Sequence, residues 1–189
     1  MLKNRIGRTV AFCGLALAAM GMAGPTSEAD RQSAVQAITR GWPAPSQEAA
    51  AVMIEKYGRP DGYDDNSLAW YDNGPWLRTI VHRDGYRDRS LARPEAVLQQ
   101  TVGYRVPLVK FEELERFDPR LVPNRTRGEL SVRSESEAVN FLVMNLADEI
   151  IMGWNDVDGA KRIYAQVSAL AKSGKSSPYM EGLRFQLGR

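Results

Sequence analysis

The chain has one imidazole, His82, and one thiol, Cys13. Nucleophilic catalysis needs a general base held by a third group. A single histidine beside Arg83, with no Gly-x-Ser-x-Gly turn anywhere, does not assemble such a set. Zinc sites need several Cys and His at close spacing. For calcium, Asp156-Val157-Asp158-Gly159 has the look of an EF-hand loop. With Gly159 at its sixth position, however, the first and twelfth fall on Trp154 and Ala165, which supply no ligand. The two acids read instead as cap and dipole charges at a helix start. Asp61-Gly62-Tyr63-Asp64-Asp65-Asn66 reads as a solvated turn, made of residues that turns favour. No catalytic residue, metal ligand or cofactor is expected.

Carboxylates, arginines and aromatics remain. Hydrolysis by a carboxylate pair needs two acids about 5–10 Å apart across a cleft. Glu129, between Arg127 and Ser131 on an alternating segment, is the acid best placed for it; the competing reading is a cross-strand ion-pair lattice on a solvated sheet. Trp70, Tyr71 and Trp76 gather around Asn73-Gly74, either as anchors for a partner or a sugar or as the hairpin's own cross-strand packing. The stretch 83–93 carries four arginines and two aspartates. It has no accompanying aromatic ladder or RNA-binding signature, so nucleic acid is not an expected partner. Asn124-Arg125-Thr126 matches a glycosylation sequon.

These groups depend on a fold of modest size. The 189 residues hold 25 Lys+Arg against 23 Asp+Glu, with 43% hydrophobic residues, enough to fill one core. Lys3, Arg5 and Arg8 precede an uncharged small and apolar run from Val10 to Ala23, the pattern of a signal peptide over 1–23 with cleavage after Ala23. Cleavage after Ala29 or retention as an anchor are the alternatives, though the run is short of the roughly 20 apolar residues of a spanning helix. A chain cut after Ala23 keeps 22 basic and 23 acidic residues and no cysteine, so neither the basic pI of 8.7 nor Cys13 belongs to the exported part.

Residues 24–45 read as an N-terminal helix and linker, and 46–189 as one α+β domain. Asp30 to Thr39 is helical in spacing. Ser46 caps a second helix with Ala50, Met53, Ile54 and Tyr57 on one face, ended by Gly58 and Pro60. Asn73-Gly74 joins strands Ser67–Tyr71 and Trp76–Arg83. Val97 to Val106 is a third strand, and Lys110 to Phe117 a short helix, followed by a loop through Val122-Pro123-Asn124. Thr126 to Arg133 is the fourth strand, with Gly128, Leu130 and Val132 inward and Arg127, Glu129, Ser131 and Arg133 outward. Ser134-Glu135-Ser136-Glu137 reads as a capping box opening a long central helix that stops at Gly153. Asn155 or Asp156 caps the last helix. The order predicts an antiparallel sheet of about four strands packed against helices on one side.

Tyr57-Gly58-Arg59-Pro60-Asp61, Asn73-Gly74-Pro75-Trp76, Tyr104-Arg105-Val106-Pro107, Arg125-Thr126-Arg127-Gly128-Glu129 and Asn140-Phe141-Leu142 together resemble a family of uncharacterised exported bacterial proteins. The resemblance covers about half of the chain and implies no established activity. It also implies Cys in relatives where Ser134 stands here, and His within 83–93, so this chain would lack any thiol or imidazole chemistry of theirs. At fold level only, the helix before Gly58-Arg59-Pro60 and the strand with Trp70-Tyr71 are similar to small helix-helix-sheet lipoproteins of outer-membrane assembly, without their lipid-anchoring Cys.

The expected function is a non-enzymatic periplasmic or envelope binding module, its contact residues Trp70, Trp76, Arg127, Glu129 and Arg133, its partner an envelope protein or glycan, with no transmembrane segment in the mature chain. The alternative is a carboxylate/arginine-based hydrolase or lyase using Glu129, Arg127 and His82.

Overall fold

The structure is a computed structural model that describes residues 28–86 and 95–187. The expected signal segment, Cys13 and the greater part of the arginine-rich stretch 83–93 lie outside the described residues. Helix α1 (Glu28–Thr39) leads through Trp42 into α2 (Ala44–Tyr57). The expected Ser46 cap is corrected: Pro43 precedes the first turn, while Ser46 is buried and its hydroxyl donates to the Arg83 carbonyl at 2.7 Å. The serine therefore ties α2 to the sheet instead of ending a helix.

Six strands follow where about four were expected: β1 (Gly62–Tyr63), β2 (Ser67–Asn73), β3 (Trp76–Tyr86), β4 (Ala96–Gly103), β5 (Leu121–Asn124) and β6 (Glu129–Ser134). They form one sheet in the order β1-β2-β3-β4-β6-β5, antiparallel at every pairing. The Asn73-Gly74 signal marks the β2–β3 turn as expected, with Asn73 opposite Trp76. The two additional strands are both edges. β1 has two residues, and β5 contains Pro123, which an edge tolerates because its missing N–H leaves no inner ladder bond unmade. The fourth expected strand begins later than its alternation suggested. Gly128 sits in a turn at φ 65°, a conformation costly for other residues, so Arg127 belongs to the β5–β6 turn and only Glu129 onward to β6.

The register sets two faces. Leu68, Trp70, Thr79, Val81, Leu98, Gln100, Val102, Leu130 and Val132 share the face turned to the helices. Ile80, His82, Gln99, Thr101, Ser131 and Arg133 share the other.

Helix α3 (Phe111–Phe117) precedes β5, and α4 (Glu137–Met152) follows β6. Every residue of α4 from Phe141 to Asp148 is buried, as in a helix covered on all sides. Its stop at Gly153 (φ 74°, ψ 15°) is the left-handed cap the sequence predicts. Asp156 caps α5 (Val157–Lys172), its carboxylate accepting the Gly159 N–H at 2.6 Å, and α6 (Pro178–Glu181) closes over α4. One apolar cluster surrounds α4 and takes in α3, α5 and Trp76; a second joins Val35, Trp42 and α2 to Leu68, Trp70, Val81 and Leu98. Among the described residues no helix is long and apolar enough to cross a membrane.

Because Leu142 is fully buried, Leu142→Ala should cost about 2–5 kcal/mol. The urea midpoint should fall with little change of slope. Leu170→Ala, on an exposed part of α5, should shift stability by no more than about 0.5 kcal/mol.

Candidate functional site

Between the two apolar clusters lies a buried polar centre that begins with the cap of α4. The capping box read from the sequence is not formed. Ser136 is the N-cap and accepts the Val139 N–H at 3.4 Å, while Ser134 ends β6, its hydroxyl 2.6 Å from Asn140 Oδ1. Glu137 is thus the first helical residue, and its carboxylate turns inward to the sheet. There Oε1 accepts the Tyr57 hydroxyl at 2.5 Å, the Trp76 indole N–H at 2.6 Å and Gln100 Nε2 at 3.1 Å, and Oε2 pairs with Lys56 Nζ. Gln100 Oε1 in turn accepts Asn140 Nδ2 at 2.9 Å, and Thr79 Oγ1 accepts Asn73 Nδ2 at 2.9 Å and Gln100 Nε2 at 3.3 Å. Trp76 stacks on Phe141 with ring centroids 5.0 Å apart, which fixes the indole's aim.

Burial alone would raise the Glu137 pKa, but the donors from Lys56, Tyr57, Trp76 and Gln100 outweigh it and hold the carboxyl below its ordinary value. Burial and the bond to Glu137 push the Tyr57 phenol up, so it remains a donor. A general acid or base needs a proton that can move near neutral pH. This centre contains an anion, one lysine ion-paired with it and neutral donors from Tyr57, Trp76 and Gln100, which is an arrangement for holding elements together.

Two grooves flank it at opposite ends of β4 and α4. One, about 490 Å³, runs between α2 and the start of α4, lined by Val52, Met53 and Leu98 with Glu48, Glu95 and Glu137. The other, about 780 Å³, is lined by the apolar Leu77, Ile151 and Met152 with Tyr104, and by the cationic Arg105 and Arg127. Arg105 lies along the turn, its Nε and Nη2 3.7 Å from where a Cβ on Gly128 would stand. Among the described residues, no ion pair or side-chain hydrogen bond engages either guanidinium.

The expected contact residues separate. Trp70 and Trp76 are 2% and 1% exposed and donate to the Gly58 carbonyl (3.0 Å) and to Glu137, so the hairpin tryptophans present nothing to a partner. Their large apolar area is worth more beneath the helices than in water. Glu129 is paired with Arg78 at 3.0 Å. Arg133 brackets the sheet, its Nε donating to the Ala96 carbonyl at 3.0 Å and its Nη2 to that of Asp84 at 2.8 Å. His82 contacts Gln99 at 3.1 Å on the open sheet face, with burial and Arg133 lowering its pKa against that bond. Arg127 alone of the five stays open, in the turn. Among the described residues, no group of three or more His, Cys, Asp or Glu is placed to hold a metal. Lys56, Tyr57, Gln100, Glu137 and Arg105 were not anticipated. A signal existed for Gln100, which falls on the inward parity of Leu98 and Val102 and, once buried, must find a partner.

Glu137→Ala should lower stability by about 3 kcal/mol or more, since it strands buried donors. Lys56→Ala should cost less, because its half-exposed ammonium is screened. A folded-state pKa below the unfolded one stabilises the fold above the unfolded value and loses that contribution as pH falls through the folded one. Denaturation of Glu137→Gln should therefore show a flatter acid limb than the parent.

No family model, curated protein or solved structure matches this chain.

Proposed function

We propose that this protein is a non-enzymatic binding module exported to the cell envelope, and that it meets an anionic envelope component at the groove between Arg105 and Arg127. The observation that carries this reading is the pair of guanidiniums without an ionic partner among the described residues, lining one groove with Leu77, Ile151 and Met152. An arginine with no acidic neighbour keeps its whole hydrogen-bonding fork for a ligand. Exposed apolar floors with polar rims are the ordinary form of contact sites.

The hydrolase reading has less support. Glu129 is neutralised by Arg78, Glu137 is saturated with donors, and His82 faces Gln99 on the open sheet face. None of these groups stands opposite another across either groove. Export rests on the basic start and the apolar run to Ala23, read from the sequence alone.

A photo-reactive residue at Leu77, in the full chain expressed in cells, should capture envelope material. Arg105→Glu with Arg127→Glu should abolish the capture while leaving the thermal midpoint within a few degrees, and Glu129→Gln should leave it intact. Capture that survives the double charge reversal would overturn the assignment of this groove.

A further inference from the structure

Nine large hydrophobic side chains are at least 40% exposed among the described residues, and five of them belong to one end of the molecule. Leu77, Leu108, Val109, Met152 and Trp154 gather at the end of the sheet that carries the arginine groove. Pro107 and Met152 both line that groove, Leu108 and Val109 follow Pro107 directly in the chain, and Trp154 lies two residues beyond Met152. The same end carries Arg105, Arg125 and Arg127, all exposed and without an ion pair to any described residue. Of the acids near it, Glu129 is paired with Arg78 and Glu113 with Lys110 at 2.9 Å; Asp148 and Glu149 accept the Tyr104 and Tyr179 hydroxyls at 2.7 and 2.6 Å, and Asp156 and Asp158 share their hollow with Arg116 and Lys161.

We propose that this end of the molecule docks on the surface of an anionic lipid bilayer, with Trp154, Val109, Leu108, Met152 and Leu77 entering the headgroup layer and Arg105, Arg125 and Arg127 binding lipid phosphates. The inference rests on the reading above that this groove is the contact site, and names its occupant. Shape distinguishes a bilayer from an acidic apolar peptide. A peptide seated in the groove would cover its lining, yet the most exposed of the five, Val109 at 81% and Trp154 at 72%, are not among the lining residues, so such a peptide leaves them in water. A bilayer surface is broad enough to reach these flanking side chains as well as the groove. An indole prefers the headgroup level of a membrane, and arginines beside it gain from the negative surface potential, each by about fivefold in affinity. With no membrane-crossing helix among the described residues, this contact is peripheral.

Trp154 reports on its own insertion. The other three tryptophans, Trp42, Trp70 and Trp76, are all buried and already lie in apolar surroundings. With vesicles of phosphatidylglycerol, emission of the full chain should shift to the blue and be quenched by brominated acyl chains. Phosphatidylcholine vesicles should produce neither effect. Trp154→Phe should remove the response. Arg105→Glu with Arg127→Glu should weaken it by about 25-fold or more in lipid concentration. Because the readout belongs to Trp154, attachment of residues 1–23 to the vesicles would not reproduce it. Absence of quenching with phosphatidylglycerol, or quenching indifferent to the charge reversal, would overturn the proposal. If a Glu-Leu copolymer shifts Trp154 while vesicles do not, the lipid is the wrong occupant and the contact site stands. If neither does, and Leu77 captures nothing, the contact site falls as well.

Discussion

Three elements converge on one carboxylate. The Glu137 side chain, at the first turn of the central helix, takes its donors from Lys56 and Tyr57 at the end of α2, from Trp76 at the start of β3 and from Gln100 in β4. Isolated in an apolar interior such an anion would be prohibitively costly; with this many donors it becomes a bracket. It sets how the helix layer sits on the sheet, because moving α4 along its axis would break all four bonds together. The two apolar clusters meet at this point: Trp76 belongs to one, and Tyr57 packs against both. The amide chain Gln100–Asn140 and its link to Ser134 carry the same bracket into β6.

Placing that anion at the centre determines what the ends can do. Proton-transfer chemistry is withdrawn from the middle of the molecule, and each end keeps a groove of different character. The end near the start of α4 is acidic, and part of that charge is balanced internally, with Glu135 3.6 Å from Arg120 and Arg120 held by Asp118 at 2.7 Å. The opposite end keeps arginines without such partners above Leu77, Ile151 and Met152. That asymmetry is what supports the proposed binding role and its assignment to this end.

Much of the fold was legible because local signals agreed with it. Asn73-Gly74 marked the turn, Gly153 and Asp156 marked a helix stop and the next start, and the continuous apolar stretch of α4 marked the centre. β5 was not legible, since Pro123 reads as a loop until the strand is known to be an edge. Ser46 and Ser134-x-x-Glu137 misled for a common reason: a hydroxyl or carboxylate near a helix start suggests a local cap, and here both reach across to the sheet or the layer beside it. The burial of the hairpin tryptophans has a related cause. Alternation gives a side chain's face but not what covers it, so the sequence left Trp70 and Trp76 open between partner anchors and internal packing, and the structure places α2 and α4 against them. Arg105 carried no periodic signal at all; its importance arises from Gly128 in a turn that only the tertiary fold brings beneath it.

The central claim is that Glu137 is a bracket that stays ionised at neutral pH because its donors hold its pKa below the ordinary value. A carbon-13 NMR titration of its side-chain carboxyl in the folded protein tests this most directly. The account predicts a midpoint below that of the exposed glutamates, with the Trp76 indole proton resisting solvent exchange for as long as the carboxylate is ionised. A midpoint at or above the exposed glutamates, or a freely exchanging indole, would contradict it and return Glu137 to the list of groups able to move a proton.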